Sequence, residues 1–206
     1  MDGDRLRWIY AASNADELRD RYETWAASYD DDLDGMEWQA PAVGAARCLA
    51  WAGSDASVLD AGCGTGLVGA ELHRLAVGRL VGIDLSHAML GVARSRGLYD
   101  ELFQGSLLDP LPFAPGTFDA VISVGVFTYG HVGPEALRGL AAVVRPGGHV
   151  TITFRDDVLD PLGFTAEFAR LDGQAVWTLV ERTEPAPLVV EDGVGADMCA
   201  WTWRVG

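Results

Sequence analysis

The stretch Asp60-Ala61-Gly62-Cys63-Gly64-Thr65-Gly66 brings together residue types that can do chemistry: a carboxylate, then three glycines at alternate positions. Glycines so placed permit φ > 0 and let a ligand reach the backbone, and the N–H groups opening a following helix face whatever binds. The apolar pair Val58-Leu59 comes before the run and a helical pattern over 67–76 comes after it, so the segment reads as strand, tight turn and helix. About eighteen residues beyond Gly66, a second apolar run, Leu80-Val81-Gly82-Ile83, ends in Asp84. A carboxylate there can accept two hydrogen bonds from a ribose diol. These features imply a nucleoside site.

Gly64-Thr65-Gly66-Leu67-Val68-Gly69 is also a literal G-x-G-x-x-G, which would suit a dinucleotide and make the chain a nicotinamide-dependent dehydrogenase. In that fingerprint the first glycine follows the strand directly. Here Asp60-Ala61-Gly62-Cys63 intervenes, setting an anion where a pyrophosphate would pass, and an acid at that point suits a cationic ligand. The pattern D-x-G-x-G-x-G, the acid Asp84 and the later Arg145-Pro146-Gly147-Gly148 together resemble the class I S-adenosylmethionine-dependent methyltransferases. Longer stretches, 22–30, 63–72, 97–99 and 116–121, resemble the methyltransferase-like protein of the Williams-Beuren syndrome chromosome region and its bacterial relatives.

The resemblance implies an α/β fold: a Rossmann-like, doubly wound, seven-stranded sheet, mostly parallel with an antiparallel C-terminal strand and helices on both faces. It implies S-adenosylmethionine as cofactor and S-adenosylhomocysteine as product and leaves the methyl acceptor open; the function expected here is methyl transfer to a small-molecule acceptor. The alternative is an S-adenosylmethionine-binding protein of the same fold without methyl transfer, acting as a cyclase, sensor or partner-binding module.

Several elements must position this chemistry. Asn14-Ala15-Asp16-Glu17 forms a capping box, and Leu18, Tyr22, Trp25 and Tyr29 follow on one helical face. Residues 22–30 also resemble the opening of many small-molecule methyltransferases that closes over the cofactor, which places Tyr22 and Tyr29 at the ligand. The acidic run 30–35 reads as a solvated loop or lid hinge, and Pro41 starts a helix running to Gly53. The cofactor turn takes Asp60, Gly62, Cys63, Gly64, Thr65 and Gly66. Asp84 and Leu85 follow on the second strand, and Ser86 caps a helix from which Met89 and Leu90 cover an adenine face.

Leu102-Phe103-Gln104 is a third strand delivering Gly105, Ser106 and Leu107, with Ser106 where relatives carry an aspartate and Asp109 three residues on. A fourth strand, 118–124, brings Ser123 and Val124 to the same edge. Its near-continuous apolar character implies a sheet covered on both faces. The loop that follows holds Phe127 and Tyr129 as an aromatic wall, and His131, whose unperturbed pKa near 6.5 suits a general base. His131 and Tyr129 are the catalytic candidates. A helix over 135–144, the Arg145-Pro146-Gly147-Gly148 turn and a strand over 149–154 complete the parallel part. A helix over 164–171 and strands over 175–184 and 198–205 close the fold.

At 206 residues and 49% hydrophobic composition the chain fits one domain with an ample core. It divides into a helical lid or cover (1–53), a cofactor-binding core (54–154) and a C-terminal helix with strands (155–206). The formal charge of −15 argues against nucleic acid and against an anionic membrane surface. All 15 basic residues are arginine, which excludes lysine chemistry. No apolar run spans a bilayer and the first residues do not read as a signal peptide, so a cytoplasmic location is expected, as monomer or homodimer. Cys48, Cys63 and Cys199 have no metal-ligand spacing, so no metal and reduced thiols are expected.

Overall fold

The structure is a computed structural model that describes residues 8–9, 11–12, 14–34, 38–191 and 194–206. One mixed sheet runs through it. Its strands are β1 (Ser57–Ala61), β2 (Arg79–Asp84), β3 (Glu101–Gln104), β4 (Phe118–Ser123), β5 (Val144–Arg155), β6 (Trp177–Arg182), β7 (Ala186–Glu191) and β8 (Val194–Val205). Across the sheet the order is β3-β2-β1-β4-β5-β8-β6, with β7 paired to β8 beyond the end of β6. Pairs from β3 to β5 are parallel, and β8 lies antiparallel between β5 and β6. Seven positions thus cross the sheet, as expected, and β7 is an eighth strand sharing one edge of β8.

Strand order reverses between β1 and β4, and in open α/β sheets ligands bind at the carboxyl ends of strands where that happens. Alternation along β1 sends Leu59 and Ala61 into one hydrophobic layer, with Phe118, Phe154 and Trp203, and sends Val58 into the other, with Cys48, Val68 and Leu72. The sheet is therefore covered on both faces.

The helices are α1 (Ala15–Trp25), α2 (Tyr29–Asp34), α3 (Ala40–Ala52), α4 (Leu67–Arg74), α5 (His87–Arg96), α6 (Leu137–Ala142, after a 3-10 turn at Pro134–Ala136), α7 (Asp156–Leu159) and α8 (Phe164–Gly173). None among the described residues is long and apolar enough to cross a membrane.

Three local expectations are corrected. The first helix stops at Trp25 rather than running to Tyr29, and the acidic run from Asp30 to Asp34 is helix α2, not loop. Asp30, Asp31 and Asp32 sit in its first turn, where carboxylates favour a new N-terminus. The break is bridged by Asp32, which accepts from Trp25 Nε1 at 2.6 Å and Ser28 Oγ at 3.2 Å. Gly35, the expected end of the hinge, lies outside the described residues. The Arg145-Pro146-Gly147-Gly148 turn is an irregularity inside the long β5: Phe118 faces Val144, and Ala120 already faces His149. The tail carries β7 and a longer β8 than the alternation suggested.

Candidate functional site

A cavity of about 340 Å³ opens at the carboxyl edge beneath α1 and α2. Gly62 and Gly64 form its floor, Asp84, Leu85, Ser86 and Met89 one wall, and Gly105, Ser106 and Leu107 the end beyond β3. Val124 and His131 line the far side, and Tyr22 and Tyr29 the roof. Those residues, all but Ser86 expected from sequence, are brought together from six separate segments of the chain.

The floor depends on glycine. Gly62 has φ +80°, and a Cβ there would meet Val126 Cγ2 at 2.3 Å. Gly64, at φ +53°, has no heavy atom within 4 Å of where its Cβ would be, so backbone faces open space. Asp84 accepts from Gly64 N–H and from Ser86 N–H, both at 2.8 Å. Those bonds aim the carboxylate along the cavity wall and leave each oxygen able to accept once more. Burial pushes the Asp84 carboxyl above its ordinary value, against the backbone hydrogen bonds that pull it down.

Six expected site residues do not reach the cavity. Asp60 is fully buried, because alternation turns it into the layer beneath the glycine turn. There it accepts from Tyr99 Oη at 2.7 Å, while its second oxygen, Oδ1, has no hydrogen-bond partner among the described residues. Burial pushes this carboxyl up to about 7, so it does not present the fixed anion to a ligand that the motif suggested. Cys63 is buried, and burial raises its thiol well above the ordinary value. Thr65 turns away to donate to Asp30 Oδ1 at 2.6 Å. Gly66 serves the turn itself, as the left-handed residue before α4 at φ +91°. Ser123 donates to the Ala61 carbonyl at 2.6 Å, tying β4 to β1.

Tyr129, a catalytic candidate, instead donates to the Asp157 carbonyl at 2.8 Å. Its neighbour Phe127 is buried against Phe154 and Phe164, so neither ring walls the cavity. Leu90 is likewise core rather than lining, and Asp109 is exposed, which leaves Ser106 as the polar side chain at the end beyond β3.

His131 is held at both ring nitrogens. The Tyr129 carbonyl accepts from Nδ1 at 2.8 Å, so Nε2 is the acceptor, and the Tyr22 hydroxyl lies 2.7 Å from it. Burial lowers the imidazole pKa, against the pull of the Tyr129 carbonyl, so the ring is neutral near pH 7.

Sequence reasoning missed Asn14, Leu18 and Arg19 as lining residues, together with Gly125, Val126 and Val132. It also missed Glu23, which accepts from Ser86 Oγ at 3.0 Å and Ala88 N–H at 3.1 Å. The signal available was its position next to Tyr22 on the same helix.

The residues present fit an adenosyl ligand. The floor admits a ligand against bare backbone, Asp84 offers acceptors for two hydroxyls, and apolar side chains (Leu85, Met89, Leu107) flank the end beyond β3. Among the described residues no group of three His, Cys, Asp or Glu is placed to hold a metal ion.

Residues 58–148 match the family model described as a methyltransferase domain. Methyltransferase-like protein 27 of Homo sapiens is 42% identical over 139 residues, which is 65% of this chain and 56% of that protein. The 18S rRNA (guanine(1575)-N(7))-methyltransferase of Saccharomyces cerevisiae is 30% identical over 133 residues, 58% of this chain and 48% of that one. The chain thus spans about half the length of these relatives. Among solved structures, the Haloferax volcanii complex containing the Trm112 methyltransferase activator matches with a TM-score of 0.69 at 20% identity, covering 89% of this chain and 97% of that one.

The expected absence of nucleic acid from the partners is overturned by these relatives, since an rRNA methyltransferase is among them. A formal charge is a sum over the whole surface and does not describe the face around one cavity.

Proposed function

We propose that this chain is a class I S-adenosylmethionine-dependent methyltransferase, as its similarity to a methyltransferase domain and to methyltransferase relatives supports, and that it transfers the methyl group of that cofactor to an acceptor small enough to enter beneath α1. The observation that carries the reading is the meeting of Gly62, Gly64 and Asp84 on one cavity where the strand order reverses.

In this reading Asp84 holds the ribose hydroxyls, Leu85, Met89 and Leu107 enclose the adenine, and Ser106 meets its polar edge. Gly62, Gly64 and Val124 border the amino-acid end, and Tyr22 and Tyr29 close over it. S-adenosylmethionine, when bound, supplies a methyl group already activated on a sulfonium. The protein then has to align the acceptor and exclude water, which is the task of α1 and the loop 125–132. For a hydroxyl acceptor His131 takes the proton at Nε2, since Nδ1 is committed to Tyr129. The apolar lining from Leu18, Val126 and Val132 supports a small-molecule acceptor.

Calorimetry with S-adenosylhomocysteine, S-adenosylmethionine and NAD, followed by an acceptor screen with labelled S-adenosylmethionine, tests the reading. Binding of both adenosyl ligands and labelled product are expected. NAD binding tighter than either would overturn the assignment. Adenosyl binding with no S-adenosylhomocysteine formed across the screen would favour a binding protein of the same fold.

A further inference from the structure

The roof carries one dipeptide pattern twice, Tyr22-Glu23 and Tyr29-Asp30, seven residues apart. Both tyrosines line the cavity, and both acids turn from it onto α5. Glu23 meets the start of that helix, accepting from Ser86 Oγ at 3.0 Å and from Ala88 N–H at 3.1 Å, where helical N–H groups lack internal partners. Asp30 meets the other end: it pairs with Arg96 in the last turn of α5 and accepts from Thr65 Oγ1 at 2.6 Å. Arg96 Nε also donates to the Thr65 carbonyl at 2.7 Å, so this second contact reaches the glycine turn as well.

The first contact reaches the other half of the ligand floor. Ser86, which donates to Glu23, also gives its N–H to Asp84 Oδ1 at 2.8 Å. Desolvation raises the Glu23 carboxyl, but the bonds from Ala88 and Ser86 outweigh it and hold the group ionised, below its ordinary value. A single partly exposed pair contributes little. Two carboxylates on opposite ends of one rigid helix fix an orientation, which one cannot do.

We propose that Glu23 and Asp30 are positioning residues, a two-point clasp on α5 that sets Tyr22 and Tyr29 over the cofactor and makes closing the roof and shaping the Asp84 and Thr65 turns one event. The proposal rests on reading the cavity as the S-adenosylmethionine site. Because the closed geometry needs both points, losing one and losing both have nearly the same effect on binding.

The test uses the whole chain with Glu23→Gln, Asp30→Asn and the double substitution. Each is titrated with S-adenosylhomocysteine and followed by amide exchange and melting without ligand. Each single substitution is expected to weaken S-adenosylhomocysteine by ~10-fold, as for one charge-assisted hydrogen bond, with the double close to the weaker single. Exchange across 18–29 should rise in the unliganded variants while the melting temperature stays within about 2 °C. Glu23→Asp should recover part of the affinity.

Unchanged affinity, additive losses in the double, or losses that follow the melting temperature would each overturn the clasp. If the unsubstituted protein binds no S-adenosylhomocysteine, the functional reading fails. The exchange arm still decides the clasp in that case: unchanged exchange across 18–29 in both single variants sinks it.

Discussion

Replacing Asp60 with asparagine tests how the carboxylate beneath the glycine turn behaves. In the folded protein its pKa is raised from the ordinary 3.8 to about 7, chiefly by burial and further by Asp84, against the hydrogen bond from Tyr99. A raised folded pKa means that the native state keeps a proton that the unfolded chain has released. Its contribution is therefore fully present below about pH 4 and is lost as pH rises towards 7. At about 1.36 kcal/mol per pH unit the whole window is worth ~4 kcal/mol, of which the part above pH 5 is ~3 kcal/mol. Asp84, also raised, changes in the same direction, whereas His131 and His149 have lowered pKa values and contribute stability that grows as pH rises through 6.5. The observable is thus the difference between two proteins. Asparagine still accepts from Tyr99, and its extra N–H groups add a pH-independent cost that cancels. Urea unfolding without ligand, at pH 5 and pH 8.5, should show the unsubstituted protein losing ~2–3 kcal/mol more than Asp60→Asn between the two. Parallel losses would mean that Asp60 is ionised throughout and that its environment is wetter than the structure shows.

Asp84→Ala removes the acceptor for two backbone N–H groups and, in the proposed reading, for the ribose, so it should cost about 1–3 kcal/mol of stability without ligand and weaken S-adenosylhomocysteine by at least ~10-fold. A folded variant with an unaltered dissociation constant would place the ribose elsewhere. Gly62→Ala combines φ +80° with a 2.3 Å approach to Val126 and should destabilise by ~1–3 kcal/mol in thermal melts. Adding Val126→Ala should recover only the steric part, and full recovery would show that the backbone is not strained there.

What sequence made legible follows from how local each signal is. Asp84 and Gly62 line the cavity where the sequence placed them, because a strand end and a positive-φ turn leave their mark within a few residues. The same motif misplaced Asp60: its identity suggested a ligand, while the two-residue period of β1 points it into a packed layer. Parity was readable from the run 57–61, and motif recognition overrode it. The loop after β4 erred for a different reason. Phe127, Tyr129 and His131 are two apart, yet only His131 lines the cavity, because a loop with positive φ at Gly125 and Gly130 keeps no fixed period. β7 escaped because Pro185 and Pro187 masked a β-branched run that ends in Asp192-Gly193, a hairpin signal. Glu23 and Asp30 were legible as charges but not as contacts, since their partners lie 63 and 35 residues away.

The two halves of the cavity are consequently built by different physics. Asp84, Gly62 and Ser106 sit at strand ends whose positions follow from the register β1–β2–β3, so in the proposed reading the sheet sets the frame of the nucleoside half. The acceptor half has no such frame. It is made by α1 and the loop 125–132, and these meet at the 2.7 Å contact between Tyr22 and His131. With Nδ1 bound to the Tyr129 carbonyl, Nε2 is the ring's single lone pair, and the roof tyrosine occupies it. If His131 is the base of the proposed reaction, a hydroxyl acceptor must therefore displace Tyr22 or pass its proton through the Tyr22 oxygen. In either case the position of α1 and the availability of the base are one variable, and a substitution that loosens the roof alters the pH dependence of turnover along with affinity.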